Sequence, residues 1–114
     1  MKLIIAYIQP FMVDKLSRAL LKAPVGGYTL SDAKGYGRAT TDDSTDYHSP
    51  RVRVEIAVND EHVDSVSDLI LHTVGTHRGG DGMILVVEIQ QAVSIKSGKR
   101  NQDALSPGSV PVSS

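Results

Sequence analysis

Hydrophobic periodicity switches between two and 3.6 residues in the same order in both halves of this chain, and that alternation limits its folds more than anything else in it. Leu3 to Ile8 is an almost unbroken apolar run stopped by Pro10, the pattern of a buried strand. From Met12 to Lys22 the apolar residues Met12, Leu16, Ala19, Leu20 and Ala23 fall on one helical stripe, with Asp14, Lys15, Arg18 and Lys22 away from it. Pro24 and Gly26-Gly27 end that helix, and Tyr28 to Ala33 reads as a second strand. After a polar loop over 39–50, Arg51 to Val58 alternates, with Val52, Val54 and Ile56 on one side and Arg51, Arg53 and Glu55 on the other. Asn59 or Asp60 is the expected N-cap of a second helix, Glu61 to Val74, with Val63, Val66, Ile70 and Val74 inward. A turn at Gly79 to Gly82, a strand from Met83 to Ile89 and a short extended piece, Val93 to Lys96, complete the order.

The order β-α-β, loop, β-α-β predicts an α+β chain of the ferredoxin-like type, βαββαβ, with one antiparallel sheet and both helices on one face. Two helices leave the second sheet face uncovered. Its mixed character, with Arg51, Arg53 and Glu55, predicts a subunit interface in a closed homo-oligomer. Residues 1–105 form the domain. The tail 106–114, rich in Ser, Pro and Gly, is expected to be disordered.

Composition removes whole classes of function. The chain has 114 residues and a net charge of -1, so it has no global attraction to nucleic acid or an anionic membrane. It has no cysteine, which rules out disulfides, thiolate metal sites and cysteine nucleophiles and suits a reducing cytoplasm. No apolar run approaches the ~20 residues that span a bilayer, so no membrane insertion is expected. Phe11 is the only Phe and Trp is absent, which argues against a stacking surface for single strands.

Two glycine-rich segments carry the chemistry, Lys34-Gly35-Tyr36-Gly37-Arg38 and Arg78-Gly79-Gly80-Asp81-Gly82. If they meet, they make a cationic crevice lined by amides, suited to phosphate or a small carboxylate. Neither fits a known phosphate loop in context. The second follows a helix and precedes a strand, the reverse of a P-loop, and the first is not followed by a helix. Each also reads as an ordinary structural feature, a helix C-cap with a tight turn or a bend releasing the loop. Arg38 and Arg51 bracket the polar loop and would stand together at its base if the flanking strands pair, as a pair suited to bidentate anion capture or as a solvated edge. His48 with Asp42, Asp43 and Asp46 has the elements of a hard-cation site, but an acidic solvated loop is the commoner outcome, and no metal is predicted. The remaining histidines, His62, His72 and His77, are scattered, and no catalytic base has a visible partner to orient it.

Taken together, Ile8-Gln9-Pro10-Phe11, Lys34 to Arg38, Arg51-Val52-Arg53-Val54-Glu55-Ile56, Gly80-Asp81-Gly82 and Ser97 to Leu105 resemble the PII signalling proteins in order and position. The resemblance implies a homotrimer that binds adenine nucleotides in clefts between subunits and signals to a target protein through a T-loop, here residues 39–50. It implies no catalysis. It places Gly27, Tyr28, Thr29, Gly35, Gly37 and Arg38 on one wall of the cleft. Glu55 and Ala57 lie by the ribose and base, the amides of Gly80, Asp81 and Gly82 wrap the phosphates with Met83 next to them, and Lys96 reaches across the cleft.

The departures are informative. Met83 stands where tight ATP binders of the family carry lysine, Ser94 where they carry arginine, and Lys96 where another arginine is usual. Loss of charge-assisted hydrogen bonds, each worth roughly 1.5–3 kcal/mol, falls on the outer phosphates, so ADP or AMP is expected over ATP. Ala39 replaces a glutamine of the members that sense 2-oxoglutarate, and the T-loop is shorter and lacks the usual Tyr-Arg-Gly tip. The resemblance therefore points to a divergent branch, the carboxysome-associated one, with bicarbonate held by Arg38, Arg51 and the Gly80 amide and a transporter or carbon-uptake component as target. The alternatives are a nitrogen-regulatory member sensing ATP and 2-oxoglutarate, a small nucleotide hydrolase on the same fold, and a divalent-cation-tolerance type of trimer without a nucleotide site.

Overall fold

A computed structural model describes residues 1–36, 48–77 and 82–106. The expected alternation is present. Strand β1 (Lys2–Ile8) leads through a 3-10 turn at Pro10–Met12 into helix α1 (Val13–Leu20), followed by β2 (Thr29–Gly35). The second half repeats the order: β3 (Ser49–Val58), a 3-10 turn at Asp60–His62, α2 (Val63–Val74) and β4 (Gly82–Glu88). A short helix, α3 (Gln102–Leu105), closes the described chain.

The strands form one sheet in the order β2-β3-β1-β4, and every neighbouring pair is antiparallel. Because strand side chains alternate, one face takes Ile4, Ala6 and Ile8 of β1 with Val54, Ile56 and Val58 of β3, all buried. Leu16 and Leu20 of α1 and Val66, Ile70 and Val74 of α2 close over that face, forming a single core. Met12, Val13, Ala23, Val52, Val63 and Ile84 pack at its margin. Fully burying each large aliphatic side chain contributes about 1.5–3 kcal/mol, so this one layer supplies most of the stabilising apolar contact.

Helix boundaries follow local chemistry. Pro10 opens the first turn, where its missing N–H costs nothing. Pro24 prevents α1 from continuing. Gly75 ends α2, its amide donating to the Leu71 carbonyl at 3.0 Å while its own backbone turns extended.

Several boundaries differ from the sequence reading. Both helices start as 3-10 turns, so their α-helical parts are shorter than predicted. Ser49 and Pro50 belong to β3 rather than to the loop, and Gly35 lies inside β2, because the two strands stay paired up to Gly35 opposite Ser49. Neither Asn59 nor Asp60 caps the second helix with its side chain. Asn59 Nδ2 donates to the Gln102 carbonyl, which fastens α3 to the end of β3, and Asp60 accepts from the Met1 ammonium and from Lys2. The piece over 93–96 is not a strand of the sheet. Val93 bridges Arg100, and the Ser94 and Gly98 amides donate to the Lys99 and Ser94 carbonyls, making a small hairpin.

Gly82 is irreplaceable for a geometric reason. Its φ is +117°, and a Cβ there would stand 1.7 Å from the Tyr7 carbonyl oxygen across the β1–β4 pair. Gly82→Ala therefore loses roughly 1–3 kcal/mol or more in urea unfolding. Gly27→Ala, where a Cβ meets nothing within 4 Å, stays within about 0.5 kcal/mol of the parent.

A second prediction concerns the strand ends. Lys2 Nζ bonds Glu88 at 2.7 Å and Asp60 at 3.3 Å, and Asp60 also takes the Met1 ammonium at 2.6 Å. The hydrogen bonds from Met1 and then Lys2 hold the Asp60 carboxyl below its ordinary 3.8. Those to Glu88 and then Asp60 raise Lys2 above 10.5. Asp60 contributes stability that is present above 3.8 and lost as pH falls through its depressed folded value. The Lys2 contribution is present below 10.5 and lost as pH rises through its raised value. Asp60→Asn lowers Tm by a few degrees at most at pH 7, because the pairs are exposed, and the difference vanishes once acid protonates Asp60 in the parent. Thermal melts across pH check this.

Candidate functional site

The helices cover one sheet face, and the strand register defines what the other presents. Arg53, Glu55 and Ala57 of β3 lie opposite Tyr7, Ile5 and Leu3 of β1. These in turn lie opposite Met83, Leu85 and Val87 of β4, while Thr29 and Ser31 of β2 lie opposite Glu55 and Arg53. Met83, Leu85 and Val87 are 62%, 42% and 45% exposed. The uncovered face is thus apolar along β4 and β1 and polar along β3 and β2.

Of the residues nominated from sequence, Thr29, Glu55, Ala57 and Met83 share this face, and Gly35 and Gly82 lie at the same end of the sheet. They occupy opposite edges, however. β2 and β4 are the two edge strands, three strand spacings apart, or about 14 Å. Gly35 and Gly82, the described glycines of the two segments, therefore stand on opposite edges of the sheet in a single chain, and the resemblance places the two segments on two walls of a cleft between subunits. Gly37, Arg38, Gly80 and Asp81 lie outside the described residues, as do 39–47 of the loop. Gly27 and Tyr28 precede β2 directly.

Lys96 is rooted at the far end. The hairpin that carries it follows the end of β4, where the Ile89 amide donates to the Met1 carbonyl, and the Asn59 bond to Gln102 fastens its other side. Gly82 sits opposite Ile8, at the other end of β1, about 20 Å along the strand. Arg51, nominated for a small anion, turns its Nη1 onto the Pro50 carbonyl at 2.7 Å, at the base of the loop where the paired flanks bring it.

On this face Glu55, which the sequence reading assigned to the ligand, is joined to Arg53 and, through it, to Tyr7, neither of which it assigned. Arg53 Nε donates to Glu55 Oε2 at 3.0 Å and Nη2 lies 2.8 Å from the same oxygen. Its Nη1 donates to the Tyr7 hydroxyl at 3.3 Å, and the guanidinium carbon stands 5.7 Å from the Tyr7 ring centroid. The i, i+2 spacing of Arg53 and Glu55 on a strand was the available signal, since it puts both on one face. Beside Gly82, a pocket of about 350 Å³ opens between β4 and α2, lined by Tyr7, Leu71, Val74, His77, Met83 and Ile84 among others.

Among the described residues no group of three or more His, Asp or Glu side chains is placed to hold a metal ion. The proposed partners of His48, namely Asp42, Asp43 and Asp46, lie outside them. No helix among the described residues is long and apolar enough to cross a membrane.

Comparison with known proteins matches this arrangement to one family. The family model described as Nitrogen regulatory protein P-II matches residues 1–99. The chain is 36% identical over 112 residues to a "Nitrogen regulatory protein P-II" of Rhizobium etli, covering 92% of this chain and all of the relative. It is 33% identical over 113 residues to the Pasteurella multocida protein of the same name, with the same coverage. It is also 31% identical over 112 residues to "Nitrogen regulatory protein GlnK" of Escherichia coli, again covering 92% of this chain and all of the relative. With a family model matching residues 1–99 and nearly full-length similarity to these relatives, the chain belongs to the P-II family of signalling proteins.

Proposed function

We propose that this protein is a non-catalytic cytoplasmic sensor that works as a homotrimer. It binds an adenine nucleotide where subunits meet and reports occupancy to a target protein through residues 39–50. The observation that carries this reading is the split of the nominated residues between the two edges of one uncovered face. A single copy leaves Thr29 and Glu55 on one side, Gly82 and Met83 on the other, and Lys96 at the far end. A ring in which the β2 side of one subunit meets the β4 side of the next brings these sets together and covers Leu85 and Val87.

Met83 sets the ligand preference in this reading. A thioether beside Gly82 places no positive charge at the outer phosphates, so ADP and AMP bind at least as well as ATP. Bicarbonate is the candidate second effector, at the loop base near Arg51, with a transporter or carbon-uptake component as the target. The names of the relatives favour a different effector within the same family, 2-oxoglutarate with ATP, in nitrogen regulation. Ala39 supports the bicarbonate reading over that one.

Calorimetric titration with ATP, ADP and AMP, with and without bicarbonate or 2-oxoglutarate and magnesium, distinguishes them. The expected outcome is ADP binding no weaker than ATP and tightened by bicarbonate, with no release of phosphate. ATP binding tenfold tighter than ADP would overturn the preference. Tightening by 2-oxoglutarate alone would assign the protein to nitrogen sensing, and nucleotide turnover would make it a hydrolase.

The assembly has its own test. Leu85→Asp places a charge on a side chain already 42% exposed in the single chain, so the fold tolerates it. Light scattering is expected to show three chains for the parent and one for the variant. The variant is also expected to lose nucleotide binding.

A further inference from the structure

Ile95, in the turn of the hairpin that follows β4, is 100% exposed, more than any other large apolar side chain among the described residues. The hairpin under it is well tied. Val93 bridges Arg100, the Ser94 and Gly98 amides donate to the Lys99 and Ser94 carbonyls, and the Ser97 amide donates to Ser94 Oγ. At its base the Asn101 amide donates to the Ala92 carbonyl and the Ala92 amide to Asn101 Oδ1. A branched apolar side chain on so constrained a backbone has little freedom left to lose on contact, so its burial is favourable. Lys96, Lys99 and Arg100 lie in the same hairpin.

A matching recess lies at the other end of the sheet. The pocket of about 350 Å³ beside Gly82 is lined by Ile8, Val74 and Ile84 and by Leu71 and Met83, which remain 54% and 62% exposed. About 150 Å³ suffices for a benzene-sized group, so the recess has room for the four-carbon side chain of an isoleucine. Helix α2 ends in its wall, at Val74 and Gly75, and a helix C-terminus carries partial negative charge. An apolar recess beside a helix C-terminus complements an apolar knob carried among cations. Within one chain the two stand apart. The hairpin leaves the sheet where the Ile89 amide bonds the Met1 carbonyl, whereas Gly82 lies opposite Ile8, about 20 Å along β1.

We propose that Ile95 of one copy of this chain seats in the pocket between β4 and α2 of the next copy. This rests on the assembly proposed above, which brings Lys96 of one subunit to Gly82 and Met83 of its neighbour. Ile95 adjoins the first, and the pocket adjoins the second. Knob and recess are different surfaces, so the contact is heterologous, the kind that closes into a ring rather than a two-fold pair. It needs no ligand, and so holds the hairpin against the neighbouring subunit while the cleft is empty.

Two measurements without nucleotide test it. Ile95→Asp alters a side chain with no contacts to lose within its own fold, so its thermal melt at high protein concentration reports assembly rather than misfolding. Light scattering on serial dilution is expected to show its trimer dissociating at a protein concentration at least tenfold higher than the parent's. Dissociation within twofold of the parent would overturn the proposal.

The second uses the absence of cysteine from the chain. Chains carrying Ile95→Cys are co-expressed with chains carrying Leu71→Cys and treated with a short bismaleimide. A covalent pair of chains is expected from the mixture and not from either variant alone. As a control, Leu21→Cys, on a side chain 81% exposed beyond α1, replaces Leu71→Cys and is expected to give no pair. No pair from the first mixture, or equal yield from the control, would overturn the proposal. If the parent itself is a single chain in solution, the assembly reading fails. If the parent is a trimer but neither measurement responds, only this inference fails.

Discussion

The register of β1 between β3 and β4 is the constraint on which the rest of the molecule depends. Ile4 lies opposite Ile56 on one side and Val86 on the other, and Tyr7 lies between Arg53 and Met83. Side chains in a strand alternate, so a slip of one residue would exchange the two faces of β1. Ile4, Ala6 and Ile8 would leave the helices, and Tyr7 would enter the core. Gly82 helps fix this register from one end. Its backbone crosses so close to the Tyr7 carbonyl that no side chain fits. At the other end Lys2 joins Glu88 and Asp60, linking the start of β1 to the end of β4 and to the turn before α2.

With the faces fixed, the number of helices decides the rest. α1 and α2 cover one side of the sheet, and nothing in the described chain covers the other. The uncovered side is neither a plain apolar surface nor a solvated one. Leu85 and Val87 are half-exposed at one edge, a partly buried Arg53–Glu55 pair lies inside, and Thr29 and Ser31 lie toward the other edge. An apolar edge suits contact with another subunit. A satisfied but accessible ion pair suits contact with a charged ligand, because a partly buried charge contributes little to stability on its own.

Much of the fold was legible in the sequence because its signals are local. Leu3 to Ile8, the stripe at Leu16 and Leu20, the alternation at Val52 to Ile56 and the pattern at Val66, Ile70 and Val74 each occupy one element and need no partner to be recognised. The errors fell where a distant group decides the outcome. Asn59 looked like a helix cap, but its amide serves Gln102, and Asp60 serves Met1 and Lys2, partners 43, 59 and 58 residues away. Val93 looked extended because it is, but its partner is Arg100 rather than the sheet. The candidate site was legible as residue types and as a family resemblance. Its layout in a single chain was not legible, since it took the strand pairing to put Gly35 and Gly82 on opposite edges and Lys96 beyond the other end.

By itself, then, the sequence determined the order of elements, the side of each helix and strand that is apolar, and the family, all of which reside in short-range patterns of residue type. Tertiary structure alone decided which residues share a face. Antiparallel pairing turns positions far apart in the chain into neighbours at strand spacing, and that is how Arg53, Glu55 and Tyr7 come to form one group. It also decided that Gly82 must be glycine, since the requirement comes from the carbonyl of Tyr7 on the neighbouring strand rather than from anything adjacent in sequence.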